Sequence, residues 1–112
     1  MRFVLILAGL LYGMGAWAGP APGGADLLAA CSHSLKRGFA GMQGAMCSYY
    51  VTPCDCAAVR KPDAPRVCLP DDVPVAELAR KVVAGLKARP GLQSRSASAA
   101  AAVILSRDYP CR

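Results

Sequence analysis

The sequence CLPDDVPVAELARKVVAGLKARPGLQSRSASAAAAVILSRDYPC, residues 68–111, decides how the fold is read. It opens on a cysteine followed by a proline turn and closes on Tyr109, Pro110 and Cys111. In its first run Val75, Leu78, Ala79, Val82, Val83 and Leu86 recur at helical spacing, with Glu77, Arg80, Lys81 and Lys87 on other faces. Asp71 and Asp72 complement the dipole at the start, and Pro74 fits the first turn. Lys87 and Arg89 suit the C-terminal end, where Pro90 and Gly91 stop the helix. A second helix begins near Ser94 or Ser96, either a good cap, and passes through Ala97 and Ala99 to Ala102 into Val103, Ile104 and Leu105. The alanines permit close packing, and Pro110 ends the run. A bond between Cys68 and Cys111 would close the two helices into a hairpin.

The upstream segments supply what covers the hairpin. Asp26 caps a short helix over residues 27–33, with Leu27, Leu28 and Cys31 on its apolar face and Ser32, His33 and Ser34 as a turn. Residues 35–52 place Phe39, Met42, Met46 and Tyr49 at steps of three, four and three, one helical stripe. Gly38, Gly41 and Gly44 fall in the same run. Each costs up to about 1 kcal/mol inside a helix, and each can admit a second backbone at close range. A single helix is the preferred reading and two shorter helices the alternative. Pro53 ends it, and residues 53–70 form a proline-rich, charged connection. No segment reads as a strand. The expected fold is all-α, a small disulfide-stapled bundle of about four helices.

Arg2, an apolar run over residues 3–12 and the ending Ala16-Trp17-Ala18 describe a signal peptide cut after Ala18. The run is shorter than the roughly 20 residues of a spanning helix. Leu28-Ala29-Ala30-Cys31 has the shape of a lipobox, but residues 19–26 separate it from the apolar core. The expected organisation is a signal peptide at 1–18, a flexible Pro/Gly/Ala lead-in at 19–25 and a helical domain at 26–112. All six cysteines lie beyond the signal, so an exported, oxidised protein of the bacterial periplasm is expected. Six cysteines allow 15 connectivities. The preferred set pairs Cys31 with Cys47 and Cys68 with Cys111. Loop closure makes the first worth roughly 3 kcal/mol and the second about 4 kcal/mol. Cys54 and Cys56 stay unassigned, pairing either with each other under strain or between chains.

The formal net charge is +6, dispersed along the chain rather than gathered. That suits solubility or an acidic partner and gives no nucleic-acid signature. The single histidine, His33, has no hydrolase-like constellation around it, and paired thiols leave no nucleophile. No catalytic residue and no cofactor is expected. Cys31-x-His33 and Cys54-x-Cys56 offer soft metal ligands, but zinc ligands are more often spaced by two to four residues. Disulfides account for the same cysteines, and no metal is expected.

The succession Cys68-Leu69-Pro70, Val73, Leu78, Val82-Val83, Leu86, Arg89-Pro90, an alanine-rich helix with Leu105, and Tyr109-Pro110-Cys111 resembles the Rap/Tai family. Asp26-Leu27-Leu28 before Cys31, and Cys47-x-x-Tyr50-Val51, extend the likeness over residues 26–111. Tyr49 and Pro53 stand where the family usually has glycine, and Cys54 and Cys56 are additions. These are periplasmic immunity proteins that neutralise peptidoglycan amidase effectors delivered by type VI secretion. The resemblance implies a small all-α domain, often a dimer, without catalytic activity. It also implies that the connection between the last two helices contacts the effector, here Arg89, Pro90, Gly91, Leu92, Gln93, Ser94 and Arg95. Leu92 is either an exposed probe for a cleft or a side chain tucked over the core. The competing function is a periplasmic protein of the same fold that binds an envelope partner, or a metal, through the loop from Cys54 to Arg66. A cationic membrane-active peptide is the third, and a disulfide-closed core with its apolar faces inward argues against it. No stable membrane insertion after signal cleavage is expected.

Overall fold

The computed structural model describes residues 21–54 and 65–111. The expected signal peptide, residues 19 and 20 of the lead-in and residues 55–64 of the loop between Cys54 and Arg66 lie outside the described residues. Four α-helices follow in order: α1 (Gly24–Arg37), α2 (Gly41–Val51), α3 (Val75–Ala88) and α4 (Ala97–Asp108). A 3-10 turn, Pro90–Ser94, joins the last two. Among the described residues there is no strand; two isolated antiparallel bridges, Gly23 with Ser96 and Val67 with Pro110, tie chain ends together. The all-α, disulfide-stapled bundle is therefore what the chain forms.

Helix α1 is the hub. It packs against α2, α3, α4 and the 3-10 turn. It is longer than the sequence reading, running through Ser32, His33 and Ser34 instead of turning there. The reason is local: Ser34 Oγ donates to the Ala30 carbonyl at 2.8 Å, so the hydroxyl is satisfied inside the helix and buried. Gly24 and Ala25, read as lead-in, are its first turn. Asp26 serves as cap from within, its carboxylate accepting the Gly23 N–H at 2.9 Å.

The preferred single helix over residues 35–52 is corrected to a break. Gly38 ends α1 with φ 97° and Gly41 opens α2 with φ 79°, left-handed conformations that favour glycine. Gly44 plays a different part: a Cβ there would overlap the Phe39 carbonyl, so the preceding turn folds down onto it. The stripe is split: Phe39 and Met46 are partly buried against the core, and Met42 and Tyr49 are not. Gly44, Cys47 and Val51 are buried, whereas Met42 is 88% and Tyr49 71% exposed. Pro53 does follow the end of the helix, which stops at Val51.

The hairpin follows the sequence reading closely. Leu78, Ala79, Val82 and Leu86 of α3 are buried, and Ala100, Ala101 and Leu105 of α4 face them at zero exposure. Gly85 lies so close to α4 that a Cβ would meet Ile104 at 2.7 Å. Ser96, not Ser94, caps α4 by accepting the Ala99 N–H at 3.2 Å. Asp71 and Asp72 form a turn ahead of α3, which starts at Val75 with Pro74 at the N-cap. Both preferred disulfides are present, Cys31–Cys47 and Cys68–Cys111. The first is buried and fastens α2 to the hub. The second closes the hairpin, reinforced by the Cys68 N–H donating to the Tyr109 carbonyl at 2.9 Å. Cys54 is disulfide-bonded too, and its partner lies outside the described residues.

Gly44→Ala should lower the unfolding free energy by about 1–3 kcal/mol despite alanine's better helix propensity, because the new methyl meets backbone. Gly91→Ala, where nothing lies within 4 Å and φ is not positive, should leave it within about 0.5 kcal/mol. Urea denaturation of the two variants checks the contrast.

Candidate partner-binding surface

The segment between α3 and α4 is framed by short hydrogen bonds. Within it the Leu92 N–H donates to the Arg89 carbonyl at 3.0 Å and the Arg95 N–H to the Leu92 carbonyl at 3.2 Å. Ser94 Oγ donates to the Gly91 carbonyl at 2.9 Å, and Gln93 Nε2 reaches back to the Leu86 carbonyl at 3.1 Å. These bonds satisfy backbone groups that a helix end and a 3-10 turn leave open.

A second set ties the segment to the start of α1. The Gly24 N–H donates to the Arg95 carbonyl at 2.8 Å, and the Ala97 N–H donates to the Pro22 carbonyl at 3.0 Å. Gly24 has no room for a side chain, since a Cβ would overlap the Leu92 carbonyl. The turn is thus held from both sides, by its own bonds and by the hub.

Leu92 is 4% exposed and belongs to the core. Of the two readings, the tucked one holds; an exposed Leu92 probe does not exist in this fold. Arg89, Pro90, Gly91, Ser94 and Arg95 are exposed and Gln93 is half-buried. The outer face of the turn is therefore cationic and polar, with its one large apolar side chain used as an anchor. Neither Arg89 nor Arg95 has an ion-pair partner among the described residues.

The sequence held a signal for this charge that the dispersed pattern hid. From Leu78 to Arg107 the chain has six Lys or Arg residues and no Asp or Glu. The acids resume at Asp108, where Lys81 Nζ donates to Oδ2 at 2.7 Å and also sits 5.4 Å from the Tyr109 ring centroid. The hydrogen bond to Asp108 raises the Lys81 pKa, and the same bond lowers that of Asp108. Both groups stay solvent-accessible, so the pair locates the end of α4 against α3 more than it stabilises the fold. Beside it a shallow groove of about 310 Å³ runs between α3 and α4, floored by Ala84, Gly85 and Ile104.

The soft-ligand reading loses its thiolates. Cys31 and Cys54 are both in disulfides, and a disulfide sulfur does not bind zinc as a thiolate does. Cys56 lies outside the described residues.

Compared with known protein families, residues 23–111 match the Rap1a immunity proteins. The chain belongs to that family. Neither the curated proteins nor the solved structures returned a match. The Rap1a match begins at Gly23, the residue whose N–H the Asp26 carboxylate accepts, and ends at Cys111, which closes the hairpin. The family's extent therefore coincides with the described fold, and its members' immunity role makes a protein partner the ligand to look for. No helix among the described residues is long and apolar enough to cross a membrane.

Leu92→Ala should cost about 2–5 kcal/mol, as removal of a buried leucine does, whereas Arg95→Ala should stay within about 0.5 kcal/mol. Thermal unfolding followed by circular dichroism separates the anchor from the surface.

Proposed function

We propose that the protein is a non-catalytic periplasmic immunity protein that inhibits a peptidoglycan amidase delivered by type VI secretion. The inhibiting surface is the turn of residues 89–95, which enters the amidase's active-site groove. One observation carries this reading: an exposed, cationic turn, anchored by buried Leu92 and locked to the start of α1, on a chain of the Rap1a immunity family.

A hydrogen-bonded turn suits a groove because little conformational entropy remains to be lost on binding. Arg89 and Arg95, without an ion-pair partner among the described residues, are available to acidic or carbonyl groups at the groove's rim, and arginine makes such contacts with a planar fork. Leu92 works indirectly by holding the turn at one height above the core. Pro90 fixes φ at the first residue of the turn, which limits its alternatives further.

Periplasmic action is supported by the disulfides and by residues 1–18, which have the charge, apolar run and small-residue ending of a cleaved signal. In that compartment the protein meets an imported cell-wall enzyme before peptidoglycan is cut.

The cognate amidase is expected in the neighbouring reading frame. Titrated with it, the Arg89→Glu/Arg95→Glu double variant should bind at least about 100-fold more weakly, mostly through slower association, and should lose most of the salt dependence of the wild type. Its melting temperature should be unchanged. Unaltered affinity at an unaltered melting temperature would remove the turn from the interface.

A further inference from the structure

The turn at residues 89–95 is too small to be a whole interface. A specific protein complex engages about 20–30 residues on each side. In the turn Leu92 is buried and Gln93 half-buried, which leaves only Arg89, Pro90, Gly91, Ser94 and Arg95 exposed. A partner seated there reaches onto what flanks it. One flank is the start of α1, where exposed Asp26 carries the charge opposite to the turn's. The other is the hairpin, whose exposed side chains carry the turn's own sign.

The groove between α3 and α4 lies on that second flank. Its near end is Ala88, the last residue of α3, and Arg89 of the turn follows directly. Its far end is Lys81, two helical turns or about 10 Å away. The floor between them is apolar and low: Ile104 lies against the bare backbone of Gly85, and exposed Ala84 has no bulk to overhang it. The rims are cationic. Arg107 lines the groove from α4, while Arg80 and Lys87 share the face of α3 that carries Ala84, at i−4 and i+3. All three are exposed, and none has an ion-pair partner among the described residues. Two acids are near. Asp108 is taken by Lys81 at 2.7 Å, and half-buried Glu77 sits one turn beyond Lys81, at the end away from the residue 89–95 turn. The surplus positive charge is therefore open to a partner.

We propose that this groove is a second seat for the amidase, one that presupposes the turn's contact with the same enzyme. An acidic segment beside the amidase's active-site groove lies along it. Carboxylates of that segment face Arg107 on one rim and Arg80 and Lys87 on the other, and an apolar side chain covers Ala84 and Ile104. A trough about 10 Å long takes about three residues of extended chain. The charges steer the encounter, and the apolar floor gains from being covered. An amidase without acids at that place would leave three cations desolvated and unmet, so the groove selects among amidases as well as holding one.

Binding kinetics of the oxidised, exported chain with the purified cognate amidase test the seat. Lys87→Glu with Arg107→Glu should weaken binding at least about 30-fold, mostly through slower association. Ala84→Trp, which fills the trough from an exposed helical position, should weaken it about 10-fold, mostly through faster dissociation. Both should keep the wild-type melting temperature. Lys36→Glu with Arg37→Glu, the same charge change on exposed residues at the end of α1, should cost less than about 3-fold. A photoreactive benzophenone side chain in place of Ala84 should attach to an amidase peptide that contains Asp or Glu. Wild-type affinity in both groove variants, with the Arg89→Glu/Arg95→Glu variant weakened, confines the contact to the turn and overturns the groove alone. An equal loss in the Lys36/Arg37 variant reduces the effect to net charge and overturns it too, as does attachment to a segment without acids. A wild type that does not bind the amidase overturns the groove together with the functional reading beneath it.

Discussion

The seat of Leu92 against the bare backbone of Gly24 is the contact on which the turn between α3 and α4 depends. Gly24 brings no Cβ, so the carbonyl of Leu92 can lie against the first turn of α1 and its side chain can reach the core. The Gly24 N–H, one of the donors a helix start leaves open, is then taken by the Arg95 carbonyl at 2.8 Å. A single small residue thereby sets the height of the turn, buries its anchor and satisfies a backbone group. The arginines that flank Leu92 point outward as a consequence of that burial.

The rest of the fold can be understood as support for this junction. Cys31–Cys47 fastens α2 to the hub, and Cys68–Cys111 closes the hairpin at the end away from the turn. Small domains bury a limited share of their surface, and covalent links restrict the unfolded chain in compensation. Alanine at positions 100 and 101, with Gly85 opposite Ile104, lets α3 and α4 run close together, which keeps the turn short.

The hairpin was legible in the sequence because its periodicity is unbroken and its stops are chemical: proline and glycine at 90 and 91, a serine cap at 96, proline at 110. The first half was less so, for a reason that lies in glycine itself. Gly38 and Gly41 adopt positive φ and break the chain, whereas Gly44 keeps a helical conformation and admits the Phe39 carbonyl. Spacing alone cannot distinguish those uses. Nor can it say which side of α2 faces in, since both are apolar. At the turn, the exposed arginines could be placed from sequence, but the burial of Leu92 depends on Gly24, a contact across most of the chain. The segregation of charge between Leu78 and Arg107 was present in the sequence and is visible once the turn's outward face is known.

Residues 89–95 are proposed as the surface that meets the amidase. Backbone hydrogen exchange, followed by mass spectrometry with and without the amidase, addresses it without altering a residue. Peptides covering residues 89–95 should gain protection in the complex, while those covering the outward face of α2 should not. Protection confined to other segments, with the turn exchanging as in the free protein, would contradict the account.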